Sequence, residues 1–129
     1  MSMTDLQNEA VSDLIFSSKV RNTPVFGQGA ERIGHIEDLA VEKVSGRVAY
    51  AILSFGGFLG IGEKYHPLPW SVLTYDTRLG GYLVPLDKEQ LKNAPSYEMA
   101  ELADIGEAAR YREAIYAYYG PFGATPYWR

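Results

Sequence analysis

The stretch Phe55-Gly-Gly-Phe-Leu-Gly-Ile-Gly-Glu-Lys64 (FGGFLGIGEK) sets four glycines among bare apolar side chains. Its reading decides between a nucleotide-binding α/β fold and a β-rich one. A phosphate-binding loop needs G-x-x-x-x-G-K-[ST] between a strand and a helix, so that backbone amides and the lysine meet the phosphates. Gly57 and Gly62 keep that interval, but Glu63 stands where the lysine belongs and Tyr65 follows Lys64. A dinucleotide fingerprint needs G-x-G-x-x-G opening a helix. The order here is G-G-x-x-G-x-G, and the prolines Pro67 and Pro69 that follow would break such a helix. The segment therefore reads as a hairpin between two strands, with Phe58, Leu59 and Ile61 at its tip. An exposed apolar tip of this kind is a contact for a partner or a second subunit.

On both sides of the hairpin, short segments rich in Val, Ile, Tyr and Phe are punctuated by glycine about every ten residues, the spacing of an all-β sandwich or small barrel. Strands are expected near Val20–Arg21, Thr23–Phe26, Arg32–Glu42, Arg47–Phe55, Tyr65–Pro69 and Gly81–Pro85. Gly46 in Lys43-Val-Ser-Gly46 suits the positive φ of a tight loop. In Arg47–Phe55, alternation puts Val48, Tyr50 and Ile52 on one face and Ala49, Ala51, Leu53 and Phe55 on the other, so both faces are apolar and the strand is central. Further on, Asp87 and Gln90 stand in capping-box spacing for a short helix, which Pro95 should end. A longer helix is expected from about Ser96 to Tyr118, with Leu102, Ile105, Ala109 and Ile115 on one stripe and Gly106 weakening its middle.

With 129 residues, 47% apolar and 22% charged, the chain suits one folded domain. Residues 1–11 form a weakly patterned leader, 12–95 the β domain, and 96–129 a helix followed by an aromatic tail. The net charge of -4 with scattered basic residues offers a phosphate backbone little attraction, so no nucleic-acid partner is expected. No window approaches the ~20 apolar residues of a membrane span. The acidic N-terminus is the wrong start for a secretory signal, and the expected location is cytoplasmic. The absence of cysteine removes disulfides, thiolate catalysis and cysteine metal sites together.

Chemistry-bearing residues are few. His35 and Glu37 share a strand face, with Cα atoms roughly 6 to 7 Å apart, and with His66 they could begin a small-ligand or metal site. Glu37 and Asp38, as neighbours on a strand, should point to opposite faces and so cannot act as a carboxylate pair. Ser17, Ser18, Ser54 and Ser71 have neither a histidine close in sequence nor an elbow motif. Trp70 is expected to pack within the barrel rather than stack on a ligand. Tyr127 and Trp128, large aromatics on a terminal tail, must fold back onto the domain or dock on another chain.

Gly34-His-Ile-Glu-Asp-Leu39, Ser45-Gly-Arg-Val-Ala-Tyr50, the glycine hairpin, Pro69-Trp70 and Leu86-Asp-Lys-Glu-Gln-Leu-Lys92 together resemble bacterial PRC-barrel proteins, over about residues 12 to 95. The ending Tyr118-Tyr-Gly120 with Pro126-Tyr-Trp128 is similar to the tail of stand-alone members. The resemblance implies a mainly β protein: a small, strongly bent PRC-type β-barrel with a C-terminal α-helical extension. The same module occurs in the H subunit of photosynthetic reaction centres and in ribosome maturation factors, where it serves assembly. It implies no catalytic motif, no cofactor and no enzyme. The sequence carries neither the transmembrane helix of the former nor the RNA-related domain of the latter, so what is implied is the general role. That role is a binding or assembly module making protein–protein contacts, self-associating with a dimer favoured. Its expected contact residues are Phe58, Leu59, Ile61, Tyr127 and Trp128. Asn93-Ala-Pro95 is a natural hinge, leaving open whether the C-terminal helix covers its own barrel or a neighbour's.

Overall fold

Six strands, β1 (Pro24–Phe26), β2 (Arg32–Val41), β3 (Val48–Phe55), β4 (Tyr65–Pro69), β5 (Thr74–Asp76) and β6 (Gly81–Leu83), form one sheet in the order β4-β3-β2-β1-β6-β5. All neighbours are antiparallel except β1 and β6, which run parallel. The computed structural model describes residues 13–55 and 64–128. The leader and the hairpin tip with Phe58, Leu59 and Ile61 lie outside the described residues.

The two edge strands are consecutive in the chain, and this bends the sheet. Laid flat, β4 and β5 would be about 24 Å apart at ~4.8 Å per strand spacing. The step from Pro69 to Thr74 reaches at most about 18 Å when fully extended, and it is shortened by a 3₁₀ turn at Trp70–Val72. The sheet must curl. The expected mainly β, strongly bent architecture with a C-terminal helical extension is therefore present, although among the described residues no ladder joins β4 to β5 and the barrel is not closed by hydrogen bonds.

β3 is buried along almost its whole length and paired on both sides, as its two apolar faces require. Cross-strand partners share a face. One face carries Ile36, Leu53 and His66 in one row and Ala51 and Leu68 in the next, and it joins Val25 and Tyr82 as the interior of the curl. The opposite face, with Tyr50, Ile52 and Ser54, is covered by the C-terminal segment. Gly46 closes the β2–β3 hairpin at φ 77° and donates to the Glu42 carbonyl at 2.9 Å.

Three expectations need correction. Val20 belongs to a one-turn helix, α1 (Ser17–Val20), whose only buried residue it is. β5 has no counterpart among the expected strands: two of its three residues are exposed, so it lacks an apolar alternation to read. The long C-terminal helix is broken. Beyond α2 (Lys88–Lys92), whose Asp87–Gln90 capping box forms as expected, come α3 (Met99–Leu102) and α4 (Ala109–Tyr119), separated by turns around Gly106. Ala109 is exposed, and the buried stripe of α4 is instead Tyr111, Ile115 and Tyr119 at i, i+4, i+8. Helix α4 packs on β4 of its own chain.

The free edge of β4 is protected as well. Tyr65 and Tyr97 exchange both backbone hydrogen bonds, at 2.8 and 2.9 Å, so the segment before α3 covers an edge that could otherwise pair with another chain.

Two substitutions check this packing. A Cβ on Gly81 would collide with the Pro24 carbonyl oxygen and lie 2.9 Å from Phe26 Cε2, so Gly81→Ala should cost about 1–3 kcal/mol in urea unfolding. An unchanged midpoint would mean that β1 and β6 do not approach this closely. The Tyr119 hydroxyl is buried without a hydrogen-bond partner, so Tyr119→Phe should leave stability unchanged or raise it by about 1 kcal/mol in the same assay. A marked loss would reveal a partner for the hydroxyl.

Candidate functional site

His35 and Glu37 meet as expected, with Nε2 and Oε2 3.2 Å apart and both side chains a little under a third exposed. Arg21, just past α1, donates from Nε to the Glu37 carbonyl at 3.0 Å and brings Nη2 to 4.0 Å from its carboxylate. The strand is not straight here. Ile36 pairs with Leu53 and Asp38 with Ile52, leaving Glu37 as the extra residue of a β-bulge. The bulge resets the alternation, so Asp38 shares the His35 face instead of opposing Glu37. The expectation of opposite faces fails for that reason. The two carboxylates are nonetheless engaged separately, since Asp38 Oδ1 accepts from the Leu39 amide at 2.8 Å.

His66 is elsewhere. Its row, Ile36–Leu53–His66, is the interior one, whereas His35 pairs with Ser54 on the opposite face. Register thus divides His35 and Glu37 from His66 by the thickness of the sheet. Among the described residues no three His, Asp or Glu side chains group as metal ligands. Glu63, three residues before His66 in the sequence, lies outside the described residues.

His66 is only 5% exposed, its ring stands edge-on to Phe55 at 4.8 Å, and neither ring nitrogen has a hydrogen-bond partner among side chains or backbone at bonding geometry. Burial pushes its pKa down to about 4; the nearby Lys92 backbone opposes this and the Lys64 charge adds to it.

The tail folds back on its own domain. Tyr127 is half-buried with its ring 5.5 Å from Tyr50, and Trp128 stands 5.0 Å from Tyr116 with the Arg112 guanidinium 4.3 Å from its ring centre. Thr125 is tied to Ser71 by an amide-to-hydroxyl bond of 2.8 Å. Burial, and then the neighbouring Tyr127 and Tyr116 phenols, raise the pKa of Tyr50. Trp128 keeps 40% of its surface exposed. Trp70 packs against the core with its ring 5.4 Å from Tyr82, as expected.

Sequence reading missed a groove on the outer face of β2, because it depends on the break between α3 and α4. One depression of about 420 Å³ runs from Arg21 and Asp38 past Met99 and Leu102. A second, of about 720 Å³, lies between the β2–β3 hairpin, Gly106 and Tyr127. They share Ala40, Ala103 and Ile105, so they form one continuous trough.

The burial of His66 has a pH consequence. As pH falls through the ordinary histidine value of 6.5, the unfolded chain takes up a proton that the folded chain refuses until about pH 4. Stability is therefore complete above pH 6.5 and lost progressively below it, by about 3 kcal/mol in all. Urea unfolding from pH 7 to 4.5 should show this slope in the wild type and a flatter one in His66→Leu. Equal slopes would mean that His66 is not held neutral.

No characterised protein is similar enough to this chain to count as a match. No helix among the described residues is long and apolar enough to cross a membrane. The family model of the PRC-barrel domain matches residues 12–91, which takes in the whole curled sheet, the β2 bulge and all but the last residue of α2. On that match and the bent, six-stranded sheet that agrees with it, the chain belongs to the PRC-barrel family.

Proposed function

We propose that the protein is a non-catalytic binding and assembly module that acts through protein–protein contacts and self-associates, with the dimer as its basic form. The observation that carries this reading is family membership, since PRC-barrel domains mediate protein interactions. The way polar groups are used agrees with it. His35, Glu37, Arg21 and Asp38 pair locally at the surface, and His66 is turned into the core, so these side chains do not converge on a common reacting atom. A cytoplasmic setting belongs to the same proposal.

The tail residues divide under this reading. Tyr127 packs on Tyr50 and secures the domain, whereas Trp128 offers a partly exposed indole held in place by Arg112. Aromatic side chains fixed in this manner are common anchors of interfaces.

Native mass spectrometry of the protein recovered gently from its own cells tests the proposal. A homo-oligomer or a complex with a second protein is the expected outcome. A monomer carrying a constant small-molecule or metal mass would overturn it. Trp128→Ala should weaken the assembled species by roughly tenfold in Kd while leaving the melting temperature within a few degrees. Tyr127→Ala should lower the melting temperature itself.

A further inference from the structure

Immediately before α1 the chain carries three consecutive apolar residues that its own fold leaves in water: Leu14 is 86% exposed, Ile15 42% and Phe16 79%. Scattered exposed apolar side chains are ordinary, but here they form one short arm, with apolar surface on the order of 400 Å², as much as the largest patch of a typical monomer.

The arm stands beside the trough. α1 is one turn long, about 6 Å, and the residue that ends it, Arg21, lines the trough and bonds Glu37 at its rim. The floor is apolar, with Ala40, Ala103 and Ile105 running through it, and Met99 and Val41 at its edges are 52% and 51% exposed. One chain thus carries an apolar knob and an apolar groove. Within a single copy they do not meet, because Leu14 and Phe16 retain their high exposure one helical turn from the rim.

We propose that Leu14, Ile15 and Phe16 of one copy dock in the trough between β2 and the α3–α4 turn of a second copy, and reciprocally, forming a two-fold arm-exchanged dimer. This names the surface for the self-association proposed above and rests on that reading. A two-fold interface needs a self-complementary surface, which a knob and groove on the same chain supply. With both arms and both grooves covered, burial is on the order of 1,600 Å², the size of a standard stable interface. The charged residues that line the trough are Glu37, Asp38, Glu42 and Glu107 against Arg21 and Lys43, an acidic balance, and the exposed Lys19 on the short helix that follows the arm is basic.

Sedimentation equilibrium over a wide concentration range tests the pairing on three full-length proteins: wild type, an arm variant (Leu14→Ser with Phe16→Ser) and a groove variant (Met99→Glu). All substituted residues are exposed, so each variant should fold, and circular dichroism checks this. The wild type should dimerise, and each variant should raise the dimer Kd by about tenfold or more. An equimolar mixture of the two variants should associate more tightly than either alone, because the intact arm of one meets the intact groove of the other. A wild-type dimer that both variants leave unchanged would overturn this surface while sparing self-association. A mixture no tighter than its components would overturn the pairing of arm with groove. A wild type that stays monomeric at every concentration would overturn both the exchange and self-association, leaving assembly with a different protein to be decided by the native spectrum.

Discussion

The structure depends on one strand that is apolar on both faces. Burying only Ala51, Leu53 and Phe55 would leave Tyr50 and Ile52 in water, and burying only the latter would strand the former. The chain solves this with two layers. The sheet curls to bury one face of β3 in its interior, and the segment after Pro95 returns to cover the other. Curling follows from the short step between β4 and β5, and covering follows from the Tyr111–Ile115–Tyr119 stripe of α4. Neither layer could be removed without exposing β3.

The division of histidines follows from the same arrangement. On a sheet with two buried layers, adjacent rows face different environments, so two imidazoles close in the fold have opposite surroundings. His35 faces out to a carboxylate, whereas His66 faces inward to Phe55. Proximity along the sheet carries no promise of a shared site, and here the sheet itself is the barrier between them.

Much of this was legible in the residues. Alternation in Arg47–Phe55, Gly46 in the hairpin and the Asp87–Gln90 spacing each encode a local requirement, and each is met. Tyr65–Pro69 continues as a strand where either nucleotide motif would need a helix, while the glycine-rich segment itself lies outside the described residues. What escaped reading was non-local. The bulge at Glu37 is set by pairing with β3, the exposed strand β5 is held by β6, and the break near Gly106 follows from which side chains find cover on β4. The trough inherits that invisibility, because its walls come from β2 and from a turn more than fifty positions later in the chain. Leu14, Ile15 and Phe16 were readable as apolar, but only the fold shows how little of Leu14 and Phe16 the described residues cover.

The parallel pairing of β1 with β6 orders events in time. Val25 pairs with Tyr82, and Phe26 with Leu83, so the N-terminal strand gains its second neighbour only after β2, β3, β4 and β5 have been made. Contacts so distant along a chain cost loop entropy before they return any stabilisation, and they set the pace of folding. On the ribosome, both strands of the antiparallel β2–β3 pair emerge early, whereas β1 cannot gain its second neighbour until Leu83 has left the exit tunnel. The domain therefore behaves as a single commitment made late in synthesis, with its first strand waiting for its last.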